Sequence, residues 1–180
     1  MVLVFLANGF EEIEALATVD ILRRAGLDTI TVGVGGRRVT GSHGIAVEAD
    51  RDDSEPLPTE GLQAVVLPGG LPGTENLRAA ASVNACLAEA EKNGVLLCAI
   101  CAAPSVLGKL GYLRGRNATC YPGYEDDLLG AVCEDTGVSV AKDRITARGA
   151  GVTIPFALAI VSRLVSPEKA AQLGEAMQCR

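Results

Sequence analysis

Short apolar runs alternate with helical patterns along almost the whole chain, and that order restricts the fold more than any other feature. Val2 to Leu6, Asp28 to Val34, Ala64 to Leu67, the run from Gly94 that stops at Cys101, and Ile145 to Ala147 each read as strands. Between and after them, apolar residues fall at helical spacing. One set is Ile13, Leu16, Ala17 and Ile21, with Gly26 as its stop signal. Another is Val83, Leu87 and Ala90, followed later by helices over Ile154 to Leu164 and Pro167 to Met177. Continuously apolar strands joined through helices describe a parallel sheet covered on both faces. Arg38-Val39 and Ile45-Ala46-Val47 predict a side hairpin or edge strand. The polar stretch Arg51 to Gly61, with two prolines, predicts a surface connection.

No repeat, low-complexity tract or linker interrupts the 180 residues, so one domain over 1–180 is expected, large enough to bury a core unaided. A formal charge of −6 argues against a nucleic-acid surface. No run approaches the roughly 20 apolar residues of a membrane span. Val2 to Leu6 enters structure with no basic region or cleavage site, which predicts no secretory leader. Six cysteines at this length do not resemble a secreted disulfide framework, so a reducing cytoplasm is the expected setting.

In open α/β sheets, ligands bind beyond the carboxyl ends of the strands. That rule gathers Asn8 to Glu14, Pro68 to Gly73, Cys101 and Arg148-Gly149 into one crevice. At Cys101 an apolar strand meets two small residues and Pro104, which suits a first helical turn. A sulfur at such a corner lies near unpaired helix N–H groups that favour its thiolate. The alternative is a buried cysteine serving as a small hydrophobe.

Glu14 is the first partner to consider for that thiol, because it flanks the apolar stripe of its helix, whereas Glu12 lies farther from that edge. Burial and like charge would raise its pKa and keep it protonated, ready to bond the sulfur or pass a proton. Glu11, Glu12 and Glu14 also suit a helix N-terminus without any catalytic role, and local sequence favours that reading. Gly69 and Gly70 let backbone N–H groups approach a ligand, and the N–H groups of Gly70 and Ala102 would make an oxyanion hole. An ordinary strand-to-helix turn explains the same glycines.

Neither a GxxxxGK[ST] nor a GxGxxG pattern is present, and no cofactor is expected. Cys98 and Cys101 have CxxC spacing, but three positions along an extended strand separate them by about 10 Å, too far for a disulfide. With His43 as the only histidine and no second CxxC, no metal site is expected.

The segments Ala7 to Glu14, Val66 to Gly70, Ala99 to Pro104 and Ala147 to Gly149 together resemble the DJ-1/ThiJ/PfpI family of the glutamine-amidotransferase-like superfamily, in its small single-domain branch. The resemblance covers nearly the whole chain. It implies a flavodoxin-like three-layer sandwich with a mainly parallel central sheet, and a homodimer. It also implies a reactive Cys101 hydrogen-bonded to a protonated Glu14, with backbone donors from Gly70 and Ala102. Many members place a histidine where this chain has Tyr121. A phenol is a poor base near neutral pH, so a Cys–His dyad is excluded there and proteolysis becomes doubtful. His43 either reaches the pocket from a neighbouring loop or is a solvated turn residue, the second being the preferred reading. Cys120 is either a pocket-wall residue, which is preferred, or a resolving thiol for oxidised Cys101. Gly69, Tyr121 and Arg148 complete the expected surroundings.

Three functions follow as expectations. The first is an enzyme of the glyoxalase or deglycase type, in which Cys101 attacks a small reactive carbonyl and Glu14 shuttles protons. The second is a peroxide sensor that stores oxidation on Cys101. The third is a chaperone that needs no nucleophile. A thiamine-related role rests on family naming alone.

Overall fold

The structure, a computed structural model, describes residues 1–179. Its strands are β1 (Val2–Leu6), β2 (Thr29–Gly33), β3 (Arg38–Thr40), β4 (Ala46–Glu48), β5 (Arg51–Asp52), β6 (Ala64–Leu67), β7 (Leu96–Ile100), β8 (Asn117–Ala118), β9 (Val132–Cys133), β10 (Val138–Val140) and β11 (Arg144–Ala147). Its helices are α1 (Glu12–Arg24), α2 (Gly73–Ala79), α3 (Ala81–Lys92), α4 (Pro104–Lys109), α5 (Thr153–Leu164) and α6 (Pro167–Ala176).

A seven-stranded sheet runs in the order β10-β11-β7-β6-β1-β2-β5. All its neighbours pair in parallel except β10 with β11. Side chains alternate between two cores, as strand geometry requires. Val2, Val4, Leu6, Cys98 and Ile100 pack with α1, α5 and α6. Leu3, Phe5, Leu67, Leu97 and Ala99 pack with α2, α3 and α4. Helices therefore cover both faces, giving the expected three-layer α/β sandwich. Leu67 pairs with Ala99, and Ala147 with Ile100, so the ends of β6, β7 and β11 come level at one edge. Among the described residues no helix is long and apolar enough to cross a membrane.

Two local expectations are corrected and an open one is decided. The stretch starting at Arg51 is not wholly a surface connection: β5 pairs with β2 through Arg51 and Asp52 and forms the sheet edge. Of the two alternatives for the Arg38 and Ile45 segments, the side hairpin is the one found: β3 and β4 pair antiparallel, apart from the main sheet. On α1 the apolar stripe runs differently: Ile21 is buried as expected, but Ile13 and Leu16 are 57% and 37% exposed, while Ala15, Val19 and Leu22 are buried. Ala15, Val19 and Leu22 recur at the i, i+4, i+7 spacing that faces one neighbour, and α5 supplies that neighbour's core residues Phe156 and Ile160.

Candidate active site

Cys101 directly follows β7 in a left-handed conformation, φ +64°, a state that costs a non-glycine residue roughly 1–2 kcal/mol. Strand alternation would have sent its side chain toward α3 and α4. The left-handed turn sends it to the other core, the layer that holds α1. Two backbone bonds impose this geometry: the Cys101 N–H donates to the Ala147 carbonyl (2.8 Å), and the Cys101 carbonyl accepts from the Tyr121 N–H (2.8 Å). Ala102 and Ala103 then make the turn, and Pro104 stands at the start of α4. Strain held by surrounding contacts is the form in which nucleophile elbows persist.

Glu14 lies against this sulfur and is 1% exposed. Its Oε2 accepts the Gly69 N–H at 2.8 Å, while its buried Oε1 has no nitrogen or oxygen partner. Burial pushes the Glu14 carboxyl up to about 7, against the opposing pull of the Gly69 N–H and the Cys101 contact. The like charge that helps is that of Glu11, and it is the smaller influence. Near neutral pH this carboxyl is therefore balanced between its two protonation states.

The thiol behaves differently from the sequence expectation of a turn-stabilised thiolate. Burial, then the Glu14 charge and the Glu14 contact, push the Cys101 thiol up to about 12, and the Ala102 and Gly70 N–H groups pull it down without prevailing. The donors point where expected, but a half-buried sulfur beside a carboxylate outweighs them. Protonating Glu14 removes the repelling charge, so the two groups titrate as one coupled pair.

Glycine is required at both positions of the neighbouring loop. A Cβ on Gly69 would stand 2.7 Å from the Cys101 Cβ and 2.8 Å from Glu14 Oε2. Gly70 has φ +89°, and a Cβ there would meet the Glu11 nitrogen at 2.4 Å. Both contacts are shorter than side chains tolerate, so this loop closes on the sulfur only as glycine.

The remaining residues divide. Glu11 caps α1, its Oε2 accepting the Glu14 N–H at 2.7 Å, which is the helix-terminus role. Glu12, though buried, turns to the β3–β4 hairpin: it accepts the His43 N–H (2.7 Å) and bonds His43 Nδ1 (2.8 Å) and Ser42 Oγ (3.3 Å). His43 is thus a 70% exposed turn residue paired with Glu12 rather than with Cys101. Tyr121 and Arg148 line an open groove of about 450 Å³ with Pro122 and Gly149, and the Tyr121 N–H bond joins its wall to Cys101. Cys120 packs in the α3–α4 core while Cys101 packs on the α1 side, which disfavours a resolving role and leaves it a cavity wall. Cys98 is fully buried within β7, where burial drives its thiol pKa upward and leaves it inert. Sequence reasoning missed the Ala147 carbonyl and the Tyr121 N–H, because backbone groups leave no mark in residue identity.

Glu11, Glu12 and His43 each bring one possible ligand atom within 4.8 Å of the others. Both Glu12 oxygens and Glu11 Oε2 already accept protein donors, so these residues are spoken for by the hairpin and the helix cap.

Residues 1–163 match the DJ-1/PfpI family. Protein dj-1beta of Drosophila melanogaster is 35% identical over 178 residues, covering 97% of this chain and 95% of that protein. A deglycase of Pyrococcus horikoshii is 32% identical over 142 residues, covering 79% of this chain and 84% of that one. The oxidized structure of Toxoplasma gondii DJ-1 superposes with a TM-score of 0.93 at 34% identity, covering 98% of this chain and 97% of that chain.

Proposed function

The chain belongs to the DJ-1/PfpI family, and from that premise we propose that it is a cysteine-dependent enzyme acting on small reactive carbonyls, with Cys101 as nucleophile and Glu14 as proton shuttle. The observation that carries this reading is the buried Glu14 carboxyl, pushed up to about 7 against the strained Cys101. A general acid–base group works best with a pKa near the operating pH. A deglycase among the relatives supports the same class of chemistry.

Methylglyoxal illustrates the sequence of steps. The Cys101 sulfur adds to the aldehyde carbon while the thiol proton passes, by way of water, to the ketone oxygen, and the oxyanion at the aldehyde carbon would accept the Gly70 and Ala102 N–H groups that act on the free sulfur. Glu14 takes the proton from the former aldehyde carbon and returns it to the former ketone carbon. The aldehyde carbon is thereby oxidised to a thioester and the ketone reduced to an alcohol within one molecule. Water hydrolyses the thioester, so methylglyoxal plus water becomes lactate, with no external oxidant and no cofactor. The open groove beside Tyr121 and Gly149 offers room for the carbonyl's substituent. A glycated amine adduct of the same dicarbonyl enters the same path after it releases the aldehyde, which is the deglycase variant.

Purified protein should form lactate from methylglyoxal without added glutathione. Absence of lactate from wild-type protein of verified fold would overturn the assignment.

A homodimer belongs to the same proposal. Exposed Ile13 on α1 and Ile45 on the hairpin are 57% and 54% exposed, and Glu12 ties their backbones together through the Ile45 N–H (3.4 Å). Together with Leu16 they form an apolar patch that a second copy would cover. The Ile13→Glu/Ile45→Glu variant should sediment as a monomer where wild type sediments as a dimer. An unchanged dimer would place the interface elsewhere.

A further inference from the structure

The groove beside the Cys101 turn is far larger than methylglyoxal needs. It encloses about 450 Å³, within the range of clefts that take drug-sized molecules. A single methyl group is all that methylglyoxal would place there. Two segments form the walls, and each is anchored to the nucleophile's backbone. On one side stand Tyr121 and Pro122, with the Tyr121 N–H donating to the Cys101 carbonyl (2.8 Å). On the other stand Gly149 to Val152, two positions beyond Ala147, whose carbonyl accepts the Cys101 N–H (2.8 Å). Val152 and Cys101 pack against the same core, so this end of the groove lies on the face of the sheet that holds the sulfur.

The lining decides what kind of substituent fits. Among the described residues, Arg148 supplies the only charge in it, and its Nη1 donates to the Asp135 carboxylate (2.6 Å). Asp135 belongs to the neighbouring cavity that Cys120 lines. The groove is therefore left without an unpaired charge to hold a carboxylate or phosphate. Tyr121, half exposed, is its largest apolar surface. A Cβ on Gly149 would stand 3.5 Å from Tyr121 Cδ2 and 3.9 Å from Cε2, so one edge of the ring rests along the glycine backbone. A Cβ on Gly151 would meet nothing within 4 Å, which leaves the facing wall open. A flat ring, a proline and glycine backbone suit a planar apolar group. Aromatic rings also attract one another in offset-stacked and edge-to-face contact, beyond the area they bury.

Given the Cys101–Glu14 chemistry proposed above, on which this rests, we propose that Tyr121 sets substrate preference and that the favoured substrates are 2-oxo aldehydes carrying a neutral aromatic substituent. The substituent packs against the Tyr121 ring while the aldehyde meets Cys101. Phenylglyoxal represents the class, and its conversion follows the steps already given. Cys101 adds to the aldehyde carbon, and Glu14 carries the proton of that carbon to the former ketone carbon. Water then cleaves the thioester and releases mandelate. The aldehyde carbon is oxidised and the ketone carbon reduced, so phenylglyoxal plus water balances mandelic acid with no further reactant.

The test compares initial rates of mandelate and lactate formation by purified full-length protein, without glutathione. For wild type the ratio of kcat/KM for phenylglyoxal to that for methylglyoxal should exceed about 10, since one methylene in an apolar pocket already discriminates about 10–200-fold. A ratio cancels any effect that a substitution has on Cys101 itself. Tyr121→Phe should keep the wild-type ratio, and Tyr121→Ala should lower it about tenfold. Both substitutions fall on a half-exposed residue and leave the core filled. Gly151→Trp supplies an independent arm, because the open space at its Cβ admits a side chain that fills the groove. It should lower the ratio chiefly by raising KM for phenylglyoxal. A wild-type ratio within threefold of one, or an unchanged ratio in Tyr121→Ala, would overturn the role of Tyr121 while lactate formation leaves the Cys101–Glu14 reading standing. Conversion of neither substrate would overturn both.

Discussion

Replacing Glu14 with glutamine is expected to slow lactate formation from methylglyoxal by about 10²–10⁴-fold, the range a positioned acid–base group contributes. Glutamine keeps the shape and can still accept the Gly69 N–H that Oε2 accepts at 2.8 Å, so the loop should hold its place. What is lost is the transferable proton. The same substitution removes the charge and the contact by which Glu14 helps push the Cys101 thiol up to about 12. Cys101 should therefore alkylate faster at neutral pH in Glu14→Gln than in wild type. Turnover and thiol reactivity then move in opposite directions, which a general loss of structure cannot produce. Joint slowing of both, or turnover within threefold of wild type, would sink the shuttle role.

Stability gives the same variant a third readout. The Glu14 pKa is raised from its usual value of 4.5 to about 7 in the folded chain. A carboxyl raised on folding contributes stability in full below its unfolded pKa and loses it as pH rises through the folded value. Folding should thus weaken between about pH 4.5 and pH 7, by on the order of 3 kcal/mol, because one pKa unit corresponds to about 1.4 kcal/mol. Glu14→Gln escapes that loss and should be the more stable protein at pH 8 by denaturant titration. The wild-type residue is then a site of stored instability kept for its chemistry.

Local chemistry explains why some of this was readable from residue types. The Cys101 corner was legible because an apolar strand, two small residues and Pro104 are contiguous, and each acts on the backbone within a few positions. Gly69 and Gly70 were legible for the same reason. Glu12 was not, because the groups that bury it, Ser42, His43 and Ile45, lie some thirty residues away on a hairpin. Helical spacing on α1 also misled. Periodicity finds an apolar face but does not distinguish one that meets the sheet from one left outside, and Ile13 and Leu16 form the outer one. The protonation of the thiol was beyond reach as well. It depends on how far burial outweighs two N–H donors, and that balance exists only once Glu14 and Cys101 are packed together.

Replacing Arg144 with alanine is expected to cost about 3–5 kcal/mol of folding free energy, the penalty for breaking a buried charge network from one side. Arg144 opens β11 and is 1% exposed. Its guanidinium pairs with Glu91 at the end of α3 and donates to the carbonyls of Tyr112 (3.0 Å) and Asp143 (2.6 Å). Asp143 in turn takes two bonds from Arg116 (2.8 and 2.7 Å). These contacts join α3, the chain after α4 and the start of β11, at the end of the sheet opposite Cys101. Truncation leaves the Tyr112 carbonyl without a donor, whereas the Asp143 carbonyl keeps the Leu97 N–H (3.2 Å), and it opens a cavity the size of a large side chain, so both desolvation and lost packing contribute. Arg144→Met restores volume without charge and should recover part of the loss, because Glu91 is 31% exposed and can rehydrate. The network also predicts acid sensitivity. Hydrogen bonding to Arg116 holds the Asp143 carboxyl down at about 2, so its contribution is present above the usual 3.8 and is lost as pH falls toward 2. Urea titration of the two variants at pH 7 settles the magnitude, and a cost below about 1 kcal/mol for Arg144→Ala would show that the buried guanidinium is no better than neutral to the fold. Because β11 also carries the Ala147 carbonyl that accepts the Cys101 N–H, loosening its first residue should raise the mobility of the nucleophile's turn. Faster hydrogen exchange at the Cys101 amide in Arg144→Met is the expected mark of that link between the two ends of one strand.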